Sequence, residues 1–208
     1  MIPVGYYSGA GASNVVSLVN YSLLDGGTTI SVPVGAHPGD LLVLVCANSG
    51  GDSYTTPAPT GWTTLAQVAY GTLAYRVMQV GDSTFTINAL TGMIALRGSV
   101  ATPTVDVWSD TPGYETSPPV TFSFTTITPT KSADFLLLMV PVAAGSGNNT
   151  MSIADGTVLI LDATTNYGSV ALAVNYKSLT SNAPYTTTAT VPHVGAGYPA
   201  GGFLAAFK

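Results

Sequence analysis

Charge is what this chain has least of. Charged residues make up 7% of its 208 positions, against about a quarter in an average soluble domain, and Glu115 is its single glutamate. Exposed helix faces are normally built from Glu, Lys, Gln and Arg, so this shortage excludes a helical protein. Five basic residues against ten acidic ones give a formal charge of −5. No basic surface is left to neutralise a run of phosphates, and nucleic acid is excluded as a partner. The lone cysteine, Cys46, excludes a disulfide framework within the chain; set in the apolar run 41–47, it reads as a buried small hydrophobe. Residues 1–7 offer neither the basic nor the apolar part of a secretory leader. The longest apolar run, 135–144, contains Pro141 and is about half the length of a membrane-spanning helix. No membrane span is expected, and the chain is expected to be made in a cytoplasm.

Catalytic vocabulary is equally thin. Of the two histidines, His37 sits in Ala36-His37-Pro38-Gly39 and His193 in Pro192-His193-Val194-Gly195, both turn sequences, and neither can be tied to a nucleophile. Paired cysteines, HExxH and calcium-loop spacings are missing. The acids Asp106, Asp110 and Glu115 are the best cluster for calcium or sugar chemistry, but acids on a Pro-rich linker are usually just solvated. The Gly-rich stretches 9–13 and 195–202 do not open a helix after a strand, so neither is a phosphate cradle. No catalytic residue, cofactor or metal is expected, and the chain reads as a non-enzyme.

What the chain does have is hydroxyl. It carries 29 Thr and 18 Ser, and β-branched Thr suits a pleated, half-wet surface. The expected fold is all-β: a jelly-roll-like antiparallel β-sandwich of two duplicated halves packed as one pseudo-twofold domain, with ten to twelve strands. The duplication lies between residues 29–98 and 125–208. Gly39-Asp40 leading into Leu41-Leu42-Val43 is answered by Ala133-Asp134 leading into Phe135-Leu136-Leu137, and Tyr70-Gly71 by Tyr167-Gly168. The Pro-rich segment 102–120 reads as a connector, with 105–108 a candidate edge strand. Residues 1–13 read as an extended arm ahead of a domain spanning 14–208, with Ile2, Val4, Tyr6 and Tyr7 available to anchor it on a neighbour. Tyr54, Tyr114, Tyr185 and Tyr198 fall in expected loops, where tyrosines serve interfaces or glycan contacts. Trp62, at the mouth of a strand, reads as a core anchor.

The order Gly39-Asp40-Leu41-Leu42, Pro59-Thr60-Gly61-Trp62-Thr63, Tyr75-Arg76-Val77 and Thr84-Phe85-Thr86 resembles the β-sandwich proteins of bacteriophage virions, over about 180 residues from 28 onward. In the second copy Thr157 takes the place of Trp62 and Ala173 that of Arg76 by this alignment. The resemblance implies a virion-surface protein made in the host cytoplasm, a homo-oligomer with a trimer favoured. Its partner would be the major capsid protein or another virion protein. Two roles remain open under it: a capsid decoration (cement) protein that stabilises the shell, or a tail-fibre, receptor-binding or carbohydrate-binding module that meets a host surface glycan.

Overall fold

The computed structural model of the chain describes residues 13–47, 56–113, 119–132, 134–143, 151–162, 170–192 and 200–208. The first half contributes β1 (Val16–Leu24), β2 (Thr29–Ser31), β3 (Leu41–Ala47), β4 (Thr63–Val68), β5 (Gly71–Val77), β6 (Thr84–Thr86) and β7 (Leu90–Gly98). The second contributes β8 (Val105–Gly113), β9 (Val120–Ser123), β10 (Phe135–Ala143), β11 (Ser152–Ile153), β12 (Thr157–Asp162), β13 (Val170–Ser178), β14 (Thr188–Val191) and β15 (Ala200–Phe207). The protein is an all-β, antiparallel sandwich.

Each half builds one large sheet and one small one. The large sheets run β1-β7-β3-β5-β4 and β8-β15-β10-β13-β12, and the small ones are β2-β6 and β9-β14-β11. Leaving aside the two-residue β11, the strand orders are the same. First, last, third, fifth and fourth strands share a sheet in that order, while the second and penultimate pair apart, a jelly-roll-like crossing.

The layers stack four deep around three apolar clusters. Successive side chains of a strand point to opposite faces, and the central strands are apolar on both. In β3, Leu41, Val43 and Val45 join the cluster between the two large sheets, while Leu42, Leu44 and Cys46 join the first half's own cluster with Ile30 and Met93. In β10, Leu137 and Met139 face the shared cluster, while Leu136, Leu138 and Val140 pack with Val120, Ala189 and Val191. That double burial explains why 41–47 and 135–143 are continuous apolar runs rather than alternating ones. The halves therefore meet through β3 and β5 against β10, and β3 and β7 against β13. Cys46 is fully buried, and burial pushes its thiol up to about 12.

Strand pairing fixes the equivalences between halves and corrects the alignment read from the sequence. Leu41 pairs with Leu96 and Val77, and Phe135 pairs with Phe207 and Ser178. Arg76 is therefore equivalent to Lys177, not Ala173, and the Tyr75-Arg76-Val77 motif reappears as Tyr176-Lys177-Ser178. Tyr70-Gly71 does not match Tyr167-Gly168, which lies outside the described residues: Gly71 corresponds to Leu172, opposite Ala47 and Pro141 respectively. The slip arises in one hairpin. β4 returns to β5 by a two-residue turn between Val68 and Gly71, whereas β12 and β13 are separated by residues 163–169. Trp62 likewise has Gly156 as its counterpart rather than Thr157, because Thr63 and Thr157 pair with equivalent tyrosines, Tyr75 and Tyr176. Each half also begins earlier than residues 29 and 125. β1 precedes the first boundary and β8 occupies the Pro-rich segment as an edge strand, longer than 105–108.

Irregularities are duplicated as well. The β4–β5 register slips between Thr64 and Ala66, and that of β12–β13 between Val158 and Ile160. In β1 the slip skips Val19, and in β8 it skips Asp106. Bulges re-aim one side chain out of the ladder. At equivalent bulges, one half aims a valine and the other an aspartate.

Candidate functional site

The most unusual chemistry lies where β8, β10 and β15 end together. Asp106, the bulge residue, has a side chain with no solvent exposure. Its carboxylate accepts the Thr130 amide at 2.6 Å, the Thr130 hydroxyl at 2.5 Å and the Lys208 ammonium at 2.5 Å. Lys208 is held by its own backbone, which exchanges both hydrogen bonds with Thr104, and its amine also reaches the Thr130 hydroxyl. Asp134, the residue before β10, is fully buried, and as an ionised carboxylate it has no ion pair and no side-chain donor among the described residues. The groups that act on it are the Asp106 carboxyl, the Lys131 amide and the Lys208 charge.

Two ionised carboxylates are acceptors only, so the contact between Asp106 and Asp134 becomes a hydrogen bond only when one of them carries a proton. The surroundings decide which. Burial and then the neighbouring Asp106 raise Asp134 to about 6. Burial also works against charge on Asp106, but Lys208 and Thr130 outweigh it and hold that carboxyl well below the usual range. The site thus contains an ammonium, a carboxylate and a neutral carboxylic acid in contact at mildly acidic pH.

The equivalent place in the first half is an ordinary ion pair. Asp40 is the counterpart of Asp134, and Arg97 that of Lys208. The Arg97 guanidinium grips Asp40 in two bonds, Nε to Oδ1 at 2.8 Å and Nη2 to Oδ2 at 2.7 Å, while the His37 amide adds a third at 2.8 Å. Burial opposes ionisation of Asp40, and these bonds overcome it, so its carboxyl sits below the ordinary value. His37 serves through its backbone, in the turn expected of it.

A second duplicated spot surrounds Tyr185. Lys177 lies over the Tyr185 ring at 5.3 Å, as Arg76 lies over Phe85 at 5.6 Å. The Tyr185 hydroxyl donates to Asp155 at 2.8 Å, and Lys177 donates to the same carboxylate oxygen at 2.6 Å. Tyr185 also bridges Ile127 and packs against the second half's cluster. Burial first, then the Asp155 carboxylate, pushes its phenol up. Its hydroxyl is committed inside the chain.

The other tyrosine and arm candidates, Ile2, Val4, Tyr6, Tyr7, Tyr54, Tyr114 and Tyr198, lie outside the described residues, as do His193 and Glu115. Of the acidic trio's described members, Asp106 is bound to Lys208 and Thr130, and Asp110 lies near Tyr70, whose phenol is raised by burial and then by that charge. Among the described residues no group of three His, Cys, Asp or Glu side chains could hold a metal. Trp62 packs edge-on to Phe85 at 5.1 Å against the first half's core, with its indole N–H buried and unpartnered. Sequence reasoning passed over Asp134, Lys208 and Thr130. The signal was the repeated Asp before each central strand, which asks what cation answers it in each copy. No family model, curated protein or solved structure matches this chain.

Proposed function

We propose that the protein is a non-enzymatic structural protein of a virion surface, a capsid decoration protein that docks as a homo-oligomer, with a trimer favoured, on a shell built by a major capsid protein. One observation carries this reading beyond the sequence resemblance. Four of the five basic residues are neutralised inside the chain, Arg76 by Asp82, Arg97 by Asp40, Lys177 by Asp155 and Lys208 by Asp106. The outer strands meanwhile present exposed Thr29, Ser31, Thr84 and Thr86 on one small sheet and Thr121, Ser123 and Thr188 on the other. Outer faces of hydroxyls with few free cations dock against protein with little water stripped from positive charge, a term that opposes polar interfaces. The committed hydroxyl of Tyr185 takes weight from the glycan-binding alternative.

The test is sedimentation of the purified chain alone and then mixed with shells that lack accessory proteins. Stoichiometric co-sedimentation of a trimer, with shells that survive higher temperature, is the expected result. A chain that ignores shells overturns the reading.

A further inference from the structure

We propose that Lys208 and Asp106 condense into an intramolecular isopeptide bond, with Asp134 as the acid that carries the protons of the reaction. This inference does not depend on the virion reading. It starts from the difference between the two copies. The first half meets the demand of its buried aspartate with an arginine, Asp40 with Arg97. In the second half Arg97 is answered by Lys208, and Val19, on the equivalent bulge, by Asp106. The added aspartate takes the cation and leaves Asp134 fully buried with no ion pair, facing the Asp106 carboxyl and the Lys131 amide instead. A buried acid without a cation is a rare and costly feature, and as a purely structural choice it is inferior to the pair its twin retains.

As chemistry the two changes belong together. A guanidinium does not give up its proton in proteins, whereas a lysine amine does and then becomes a nucleophile. The amine stands at hydrogen-bond distance from the Asp106 carboxyl, 2.5 Å from Oδ1, and both aspartate side chains are closed to solvent. The reaction balances without any added reagent. The Lys208 ammonium passes one proton to the Asp106 carboxylate, giving a neutral amine and a neutral acid. The amine nitrogen attacks Cγ of Asp106, whose carbonyl oxygen accepts a hydrogen bond from the protonated Asp134. A C–N bond forms, Asp134 relays the second proton from nitrogen to the departing hydroxyl, and the C–O bond breaks to release water. The sum is an ammonium and a carboxylate converted to an amide and one water, with Asp134 returned to its starting form. The product ties the edge strand β8 to the residue that follows β15, across the ladder those two strands already share.

The test is the intact mass of the full chain, followed by proteolysis and fragmentation. The expected mass is lower than that of the sequence by one water, with a branched peptide joining residue 106 to residue 208. Lys208→Arg and Asp134→Asn are each expected to show the full mass, with unchanged circular dichroism confirming that they fold. An unmodified wild-type mass after prolonged incubation at mildly acidic and neutral pH overturns the proposal. So does a water loss that maps elsewhere, such as a cyclic imide at Asp155-Gly156. Asp134→Asn that still condenses overturns the role given to Asp134.

Discussion

The two halves share a strand order, two bulges, an aspartate ahead of each central strand and a cation set over an aromatic ring, yet they spend these features differently. Around Asp40 every hydrogen-bonding group is matched: guanidinium to carboxylate, amide to carboxylate, guanidinium to the Gly35 carbonyl. Around Asp134 the same backbone frame holds a lysine, an extra acid and a buried carboxyl with no ion pair. A duplicated scaffold makes the difference interpretable, because backbone geometry is held constant while side chains change. Where one copy closes its aspartate in a full ion pair and the other does not, the second copy has acquired a chemical possibility the first lacks.

The largest expected effect removes that possibility. A cross-link between residues 106 and 208 closes a loop of about 100 residues, for which chain entropy predicts stabilisation of about 4.7 kcal/mol. Lys208→Arg preserves the positive charge opposite Asp106 and makes the second half resemble the first. Thermal unfolding should then fall by about 10–20 °C, given about 2–4 °C per kcal/mol for a chain of this size. The same exchange reversed, Arg97→Lys, has no second aspartate to meet and should leave the mass of the chain unaltered by any condensation at that site.

Next in size are the two faces of the seam between the halves. Gly71 and Leu172 occupy equivalent positions, but a Cβ on Gly71 would come within 2.6 Å of both the Cys46 carbonyl oxygen and the Pro141 ring, while Leu172 is fully buried in the shared cluster. One half has been hollowed at the place where the other is filled. Leu172→Ala should cost about 2–5 kcal/mol through the cavity it leaves, and Gly71→Ala about 1–3 kcal/mol through overpacking, both read from denaturant midpoints. If the two substitutions were equally mild, the seam would not be the close fit that these distances require.

Acid separates the halves in a further way. Asp40 has its carboxyl below the ordinary value, so the unfolded chain binds a proton before the native one does as pH falls. Its contribution is complete above the unfolded value, about 3.9, and is lost progressively below it. Asp40→Asn should destabilise the protein by about 1–3 kcal/mol at pH 7, with the gap between variant and wild type closing toward pH 2. Melting curves of both proteins across that range decide it. A constant gap would mean that the carboxylate charge contributes nothing.

Much of this architecture was legible because it is written in period and repetition. Continuous apolar runs at 41–47 and 135–144 announced the buried central strands, and Asp40 and Asp134 marked their starts. The bulges were hidden, since a single skipped residue leaves no trace in composition, and with them the location of Asp106. The alignment of Arg76 failed because it was carried through a hairpin whose loop differs in length; only the ladder partner of Leu42 and Leu136 identifies Lys177 as its equivalent. Asp106 looked like a solvated linker acid because the segment 102–120 around it also holds Pro103, Pro112, Gly113, Pro118 and Pro119, whereas its neighbours in space, Thr130, Asp134 and Lys208, come from two other segments. Long-range pairing of this kind has no local signature.

The smallest effect tests whether the second duplicated spot is also a change of chemistry or only of decoration. Phe85 and Tyr185 take the same place relative to the repeated cation, Phe85 beneath Arg76 and Tyr185 beneath Lys177. Tyr185→Phe therefore writes the first half's residue into the second. It removes one hydrogen bond to an ionised acceptor at a half-buried position, while the ring, its stacking under Lys177 and its contact with the core persist. The expected cost is about 0.5–1.5 kcal/mol, and Asp155 keeps Lys177 and the Gly156 amide as partners. A glycan-contacting tyrosine would behave otherwise, losing ligand while stability stayed put. Measured together, melting temperature and binding to a panel of immobilised glycans distinguish the two: a drop in the first with no change in the second keeps Tyr185 as an internal strut, the aromatic counterpart of Phe85 with one added bond.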